Sequence, residues 1–380
     1  MAGPLTGIRV IELAGIGPAP MAGQLLADLG ADVISIDRRA EDRMPQRPKD
    51  ANRRGKRSIV LNLKEADAVN ILLKLCETSD MMFEGFRPGV AERLGVGPDS
   101  ALNANPALVY GRLTGWGQDG PLSARAGHDI NYIALSGALA AIGGPERPLP
   151  PINLVGDYAG GSLVLIVGML AALVRARATG QGEIVDAAMT EGSAAIMSLI
   201  HSLMASGLWT EKRDANLIDG GAPFYRTYRT RDGQFMAVGA IEGQFFAELL
   251  DRLGLDPKWI DHQHDQSQWS EMTALFVDTF GQKTRSEWEI VFDGSDACVS
   301  PVLTMSEAPG HPHNRARRSF VERDGFAQPS PVPRFTHAPA ELGRGAYFTG
   351  EDTQALLKEI GYSEQEVEGF LTGGIAGQSQ

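Results

Sequence analysis

Cysteine is scarce in this chain: Cys76 and Cys298 are the only two in 380 residues, far apart and without metal-ligand spacing. That excludes a disulfide-stapled scaffold and a cysteine-bound metal centre, and it suits a reducing, cytoplasmic compartment with both thiols in the core. Positive charge is also short, 35 Lys and Arg against 47 Asp and Glu, for a formal net charge of −12. Such a balance argues against nucleic acid or a membrane surface as partner, so any anionic ligand must be held by a local basic patch. Long hydrophobic runs are missing too. The longest, "SLVLIVGMLAALV" at 162–174, is 13 residues, below the ~20 that span a bilayer, and reads as a buried helix. The opening "MAGPLTGIRVIEL" has neither the basic start nor the apolar length of a signal peptide, and the closing "GQSQ" is no peroxisomal address.

What is present is enough apolar sequence for two domains. The N-terminal third alternates strand and helix: "GIRVIEL" (7–13), "ADVISID" (31–37), "SIVLNL" (58–63), "MMFEGF" (81–86) and "LVYGRLTG" (108–115) read as strands, with helical segments between them. That alternation predicts an α/β fold with a parallel sheet. Long helices around 130–141 and 158–177 follow, then a strand at 182–189. From about 190 to 225 the chain turns polar and glycine-rich. "YRTYRTRDGQFMAVGAI" (225–241) reads as a hairpin around "RDG", with helices after it. The change predicts a second, smaller α+β domain, and the Pro-rich 326–340 an extended connector.

"GIGPAP" (15–20), between a strand and a helix, with Asp37 ending the next strand, invites a dinucleotide-binding reading and an oxidoreductase. Pro20 stands where the third glycine would be, and Asp37 is followed by Arg38 in a basic run. Between Arg38 and Lys64 there are ten Lys or Arg and three Asp or Glu. A ligand with several phosphates explains that excess better than NAD does, because guanidinium groups pair with phosphate oxygens bidentately.

Two acid–base candidates open apolar helical runs: His128 in "AGHDINYIALSG" and Asp157 in "NLVGDYAGGS". Each is open to a plainer reading, His128 as a helix-start histidine and Asp157 as the N-cap of a helix beginning at Tyr158. The "AGG" after Asp157 would leave backbone N–H groups free to face an oxyanion. Glu242 in "AIEGQF" also reads as a helix start, and Asp129 as a positioning group beside His128. The pairs His262/His264 and His311/His313 have no cysteine or carboxylate cluster nearby, so no metal is expected. Met189, Met197 and Met204 suit either an apolar lining or an ordinary helix core.

Several stretches then converge. "LTGIRVIELAGIGPAP", "NRRGKRSIVLNLK", "FEGFRPGVAERLG", "YGRLTGWGQDGP", "AGHDINYIALSG", "NLVGDYAGGS", "DGGAPFY", "AVGAIEGQFFAELL" and "DACVSPVLTMSEAPGHPHN", in that order, resemble the family III coenzyme A transferases. Within them the similarity is greatest to the branch that epimerises 2-methylacyl-CoA thioesters, up to about residue 335. The resemblance implies an interlocked homodimer, each subunit with a Rossmann-like large domain (1–190, resumed at 333–380) and a small domain (227–313), joined by linkers at 191–226 and 314–332. It implies that Arg38, the stretch Leu61, Asn62, Leu63 and Lys64, the stretch Gly85, Phe86 and Arg87, and Arg93 hold the nucleotide. Gly127, Asp129, Ile130, Asn131 and Tyr132 would lie along the pantetheine and thioester. Coenzyme A is then part of the substrate, and no separate cofactor is needed. An α-carbon hydrogen beside a thioester is weakly acidic, and inverting that centre needs a base on one face and an acid on the other, through an enolate. His128, sharing its proton with Glu242, and Asp157 are implied for the two sides. The rival is a transferase in which Asp157 attacks the thioester as a nucleophile; the histidine of "GHD" and the glutamate of "GAIE" favour the epimerase.

Overall fold

The structure, a computed structural model, describes residues 3–13, 15–38 and 49–378. The chain divides into two compact units, one of Met1–Ser136, Ile152–Ile196 and Pro312–Gln380, the other of Gly137–Pro151 and Met197–His311.

In the larger unit six parallel strands form where the sequence alternation places them: β1 (Arg9–Leu13), β2 (Asp32–Asp37), β3 (Arg57–Leu61), β4 (Met81–Glu84), β5 (Val109–Thr114) and β6 (Glu183–Ala188). They lie in the order β3-β2-β1-β4-β5-β6. Helices cover both faces, Pro18–Asp28 and Val164–Thr179 on one, Ala66–Cys76 and Thr353–Glu359 on the other. Strands covered on both sides are mostly apolar. Of the charged residues within them, Glu12, Glu84 and Arg112 are buried and paired. After β3 the chain crosses back over β2 and β1 to reach β4, so the strand order reverses between β1 and β4. The C-terminal ends of those two strands open the crevice in which such sheets bind ligands.

The apolar run at 162–174 belongs to a longer element. Leu154–Thr179 is one 26-residue helix, π-wound over Leu154–Leu163 and α-wound over Val164–Thr179, and by length and composition alone it could cross a membrane. A core helix passes the same test, and Leu165, Ile166, Met169, Ala172 and Leu173 of this one are buried against the large sheet. Leu163, Val167 and Val174 on its other side are exposed.

The smaller unit holds the expected hairpin, β7 (Tyr225–Arg229) and β8 (Phe235–Gly239), with β9 (Val299–Pro301) added beside β8. Its core is aromatic, built on Phe224, Phe246, Phe276, Phe280 and Trp288. Residues 137–151, which fall inside the expected large domain, join this unit instead. Arg213 holds them there, its guanidinium donating to the carbonyls of Ala140, Gly144 and Pro145.

The chain then returns to the larger unit through a hairpin, β10 (Phe320–Arg323) and β11 (Phe326–Pro329), and ends on β12 (Ala376–Gly377). β12 runs antiparallel to β3, pairing Ala376 with Leu61 and Gly377 with Val60, so the sheet's outer edge is closed by the C-terminal segment. Asn62 N–H donates to the carbonyl of Ile375, and Thr353 and Asp352 accept from the backbone of Val60 and Ser58.

Candidate active site

The residues expected to hold a nucleotide gather at the C-terminal ends of the parallel strands. Arg38 follows β2, Leu61 to Lys64 end and follow β3, and Gly85 to Arg87 follow β4. Arg93 ends a short helix, Val90–Arg93, in the same connection. Arg38, Lys64, Arg87 and Arg93 are exposed, and none forms an ion pair with another described residue. The Arg38 guanidinium lies 5.8 Å over the Phe86 ring. Leu61 is buried and Leu63 packs on the core, so those two can offer a ligand only their backbone.

The rest of the basic run has another use. Arg54 is buried and pairs with Asp28 at 2.6 Å while donating to Gln328 and the carbonyl of Pro329. Lys56 is buried against Glu12 at 2.5 Å. Arg57 bridges Asp32 and Glu359, and Arg53 lies over the Tyr347 ring. These four tie the segment before β3 to the first helix and to the returning chain. Arg39, Arg43 and Arg47 lie outside the described residues. The sequence count therefore overstates the charge known to be free for phosphate.

One charged group at this rim was not singled out in the sequence. Glu84 ends β4, fully buried, and accepts the backbone N–H of Phe86. Arg112 on β5 bridges it at 3.2 Å to Glu92 at 2.8 Å. Burial pushes the Glu84 carboxyl up to about 7, against the Phe86 N–H and Arg112. An acid closing an otherwise apolar strand, "MMFE", was the available signal.

Asp157 lies inside the π-wound segment and does not cap a helix starting at Tyr158. The capping position is Asn153, whose side-chain amide donates to Asp157 Oδ2 at 3.3 Å. Glycines permit its close packing: a Cβ on Gly156 would come within 2.6 Å of Asp129 Oδ2, and one on Gly160 within 2.6 Å of the Ser193 backbone. The "AGG" backbone is consequently inside the helix, with Gly160 and Gly161 buried, and does not face an oxyanion. On the open side sits Gly17 (φ +81°), where a Cβ would stand 3.3 Å from Asp157 Oδ2. Burial raises the Asp157 carboxyl above its ordinary range; the Asn153 hydrogen bond opposes this, Asp129 adds to it, and His128 opposes it.

His128 is the N-cap of the Asp129–Leu135 helix, with its ring exposed and its backbone N–H donating to Asn131 Oδ1 at 3.1 Å. The residue after it, Asp129, accepts the backbone N–H of Asp157, which brings the two candidates close together. Asp129 is buried; its Oδ2 accepts the Asp157 backbone N–H at 2.7 Å, and its Oδ1 has no hydrogen-bond partner among the described residues. Ile130 and Asn131 are exposed on the same turn. Tyr132 is buried, its hydroxyl donating to the carbonyl of Gly127. Burial raises the Tyr132 phenol, Asp157 adds to the shift, and Arg87 opposes it.

Glu242 belongs to the smaller unit, exposed at the N-cap of the Gly243–Leu253 helix. Of the three candidate methionines Met189 is buried, Met197 is half-buried and Met204 is 39% exposed, so the last two have surface to offer a ligand. No group of three or more His, Cys, Asp or Glu suited to a metal occurs among the described residues.

A family model described as CoA-transferase family III matches residues 5–353. The alpha-methylacyl-CoA racemase of Mus musculus is 44% identical over 366 residues, which covers 96% of this chain and 95% of that protein. The one from Homo sapiens is 45% identical over 369 residues, covering 96% and 95%. Among solved structures, a CAIB/BAIF family protein from Brucella suis is similar with a TM-score of 0.80 at 25% identity, covering 95% of this chain and 100% of that one.

Proposed function

The chain belongs to CoA-transferase family III and is an isomerase of the racemase kind, and we propose that it epimerises 2-methylacyl-CoA thioesters at C2 by moving one proton across the α-carbon. The observation that carries this is that Asp157 donates its backbone N–H to Asp129, the neighbour of His128, while its carboxyl lies beside Gly17 just past β1, at the strand-order reversal. A carboxyl held above its ordinary range is a usable acid as well as a usable base. On one face of the substrate Asp157 removes the proton, C2 becomes planar in the enolate, and His128 returns a proton on the other face. The reverse direction exchanges the roles. Glu242 shares the histidine's proton.

The thioester's nucleotide end is held by Arg38, Lys64, Arg87 and Arg93, and the pantetheine runs along Gly127 to Tyr132. Coenzyme A arrives with the substrate, so no further cofactor enters the reaction. We place the enzyme in the cytoplasm as an interlocked homodimer. Dimerisation is supported by the exposed apolar side chains of Leu163, Val167 and Val174 on the long helix, surface that a second copy would cover. Unfolding should then depend on protein concentration. An active monomer at high dilution in a sedimentation experiment contradicts the dimer.

The test of the reaction uses each pure epimer of a 2-methylacyl-CoA in heavy water, followed by NMR. Either one should give both epimers in comparable amounts, with deuterium at C2 and no second acid present. Asp157→Asn and His128→Ala should each lower net epimerisation about 10²–10⁴-fold, the span of one general acid–base group. If turnover requires a free carboxylic acid that takes up the coenzyme A, the proposal falls and Asp157 is a transferase nucleophile.

A further inference from the structure

The first turn of the Asp129–Leu135 helix touches both reacting groups, through different side chains. Asp129 Oδ2 accepts the backbone N–H of Asp157 at 2.7 Å. Tyr132, three residues on, donates its hydroxyl to the carbonyl of Gly127, the residue before His128. The second contact is boxed in. Trp116 meets Tyr132 edge-on, with ring centroids 4.8 Å apart and planes at 86°. A Cβ on Gly127 would come within 2.7 Å of the Tyr132 ring and 2.8 Å of Trp116. Behind Tyr132, a Cβ on Gly115 would stand 2.0 Å from the same ring. The Gly127–His128 peptide is therefore held between two aromatic rings and a hydroxyl. The His128 ring is exposed, so its aim is set chiefly by the backbone that carries it.

We infer that Tyr132 is a positioning residue for His128: its hydroxyl, braced by Trp116, fixes the peptide from which the imidazole reaches one face of the α-carbon, while Asp129 does the same for Asp157 on the other face. The inference rests on the two-sided reading proposed above. Proton transfer needs hydrogen-bond reach, and a displacement of about 1 Å can cost roughly 10²-fold. Loss of one of several restraints should cost less, on the order of tenfold, and on one face only.

Deuterium wash-in at C2, measured for each pure epimer at saturating thioester, reads the two faces separately, because one remaining base can still remove and return a proton on its own side. His128→Ala and Asp157→Asn first assign an epimer to each face. Tyr132→Phe should then lower wash-in of the His128-dependent epimer about tenfold relative to the other, and Asp129→Asn should skew the ratio the opposite way. Gly127→Ala, which crowds both rings and leaves the hydroxyl in place, should skew it as Tyr132→Phe does. It also keeps the measurement available should Tyr132→Phe fold poorly. Equal losses for both epimers in Tyr132→Phe and in Gly127→Ala, or a change in KM alone, overturn the positioning role while the proposed reaction stands. If His128→Ala and Asp157→Asn do not select opposite epimers, the two-sided reading falls and takes this inference with it.

Discussion

Cations that are neighbours in sequence end in two different places. Arg54 and Lys56 are buried within the larger unit, paired with Asp28 and Glu12. Arg38 and Lys64, at the two ends of the same run, are exposed at the strand ends with no carboxylate partner among the described residues. The difference follows from where each residue sits on its strand. A side chain on the segment entering β3 meets the first helix and the returning chain, whereas one just past a strand's C-terminal end projects into the crevice. Charge density along a sequence does not distinguish the two; position relative to the strand does.

Breaking the buried class should have the largest effect. Arg54→Ala leaves Asp28 buried without its partner, and stability should fall by about 3–5 kcal/mol, as for other broken buried ion pairs. Urea unfolding measures it, and a loss under about 1 kcal/mol would place Arg54 with the exposed class.

Glu84 stands between the classes, buried like the first and located at the rim like the second. Its carboxyl is pushed up to about 7 from an ordinary 4.5. Between those values the folded state binds a proton that the unfolded state lacks, so this contribution is complete below 4.5 and is lost as pH rises through about 7. Wild type should therefore lose stability relative to Glu84→Gln over that window, by at most about 3.4 kcal/mol at 1.36 kcal/mol per unit. Parallel pH profiles for the two proteins would contradict this account of Glu84.

The exposed class should show the smallest effect, and a different kind. Arg38→Ala and Arg93→Ala should leave urea unfolding unchanged while weakening coenzyme A binding by about 1–3 kcal/mol each. The loss should be greater at low than at high salt. Calorimetric titration at two ionic strengths checks both features, and undiminished affinity in both variants removes the nucleotide from this rim.

Much of the larger unit could be read in advance, because parallel strands covered on both sides announce themselves as short apolar runs between helices. His128 at a helix start and Glu242 at another were legible from their neighbours for the same local reason. The winding around Asp157 was not. The close packing of that π-wound turn depends on Gly156 lying against Asp129 and Gly160 against Ser193, contacts between residues about thirty apart, whereas local sequence shows only a good capping residue. The assignment of 137–151 to the smaller unit rests on Arg213, some seventy residues away, and no periodicity reports it. Glu84 was visible as a lone acid in a strand, but its partner Arg112 is a neighbour only once β4 and β5 lie side by side.

The strand that closes the large sheet pairs Ala376 with Leu61, a separation of 315 residues. During synthesis at roughly 5–20 residues per second, β3 must wait roughly fifteen seconds to a minute for that partner. Throughout that interval the nascent chain carries an open, apolar sheet edge beside the loop of Asn62 and Lys64. An unpaired edge of this kind invites pairing with other chains. Until its C-terminal partner emerges, β3 is therefore an edge open to such pairing.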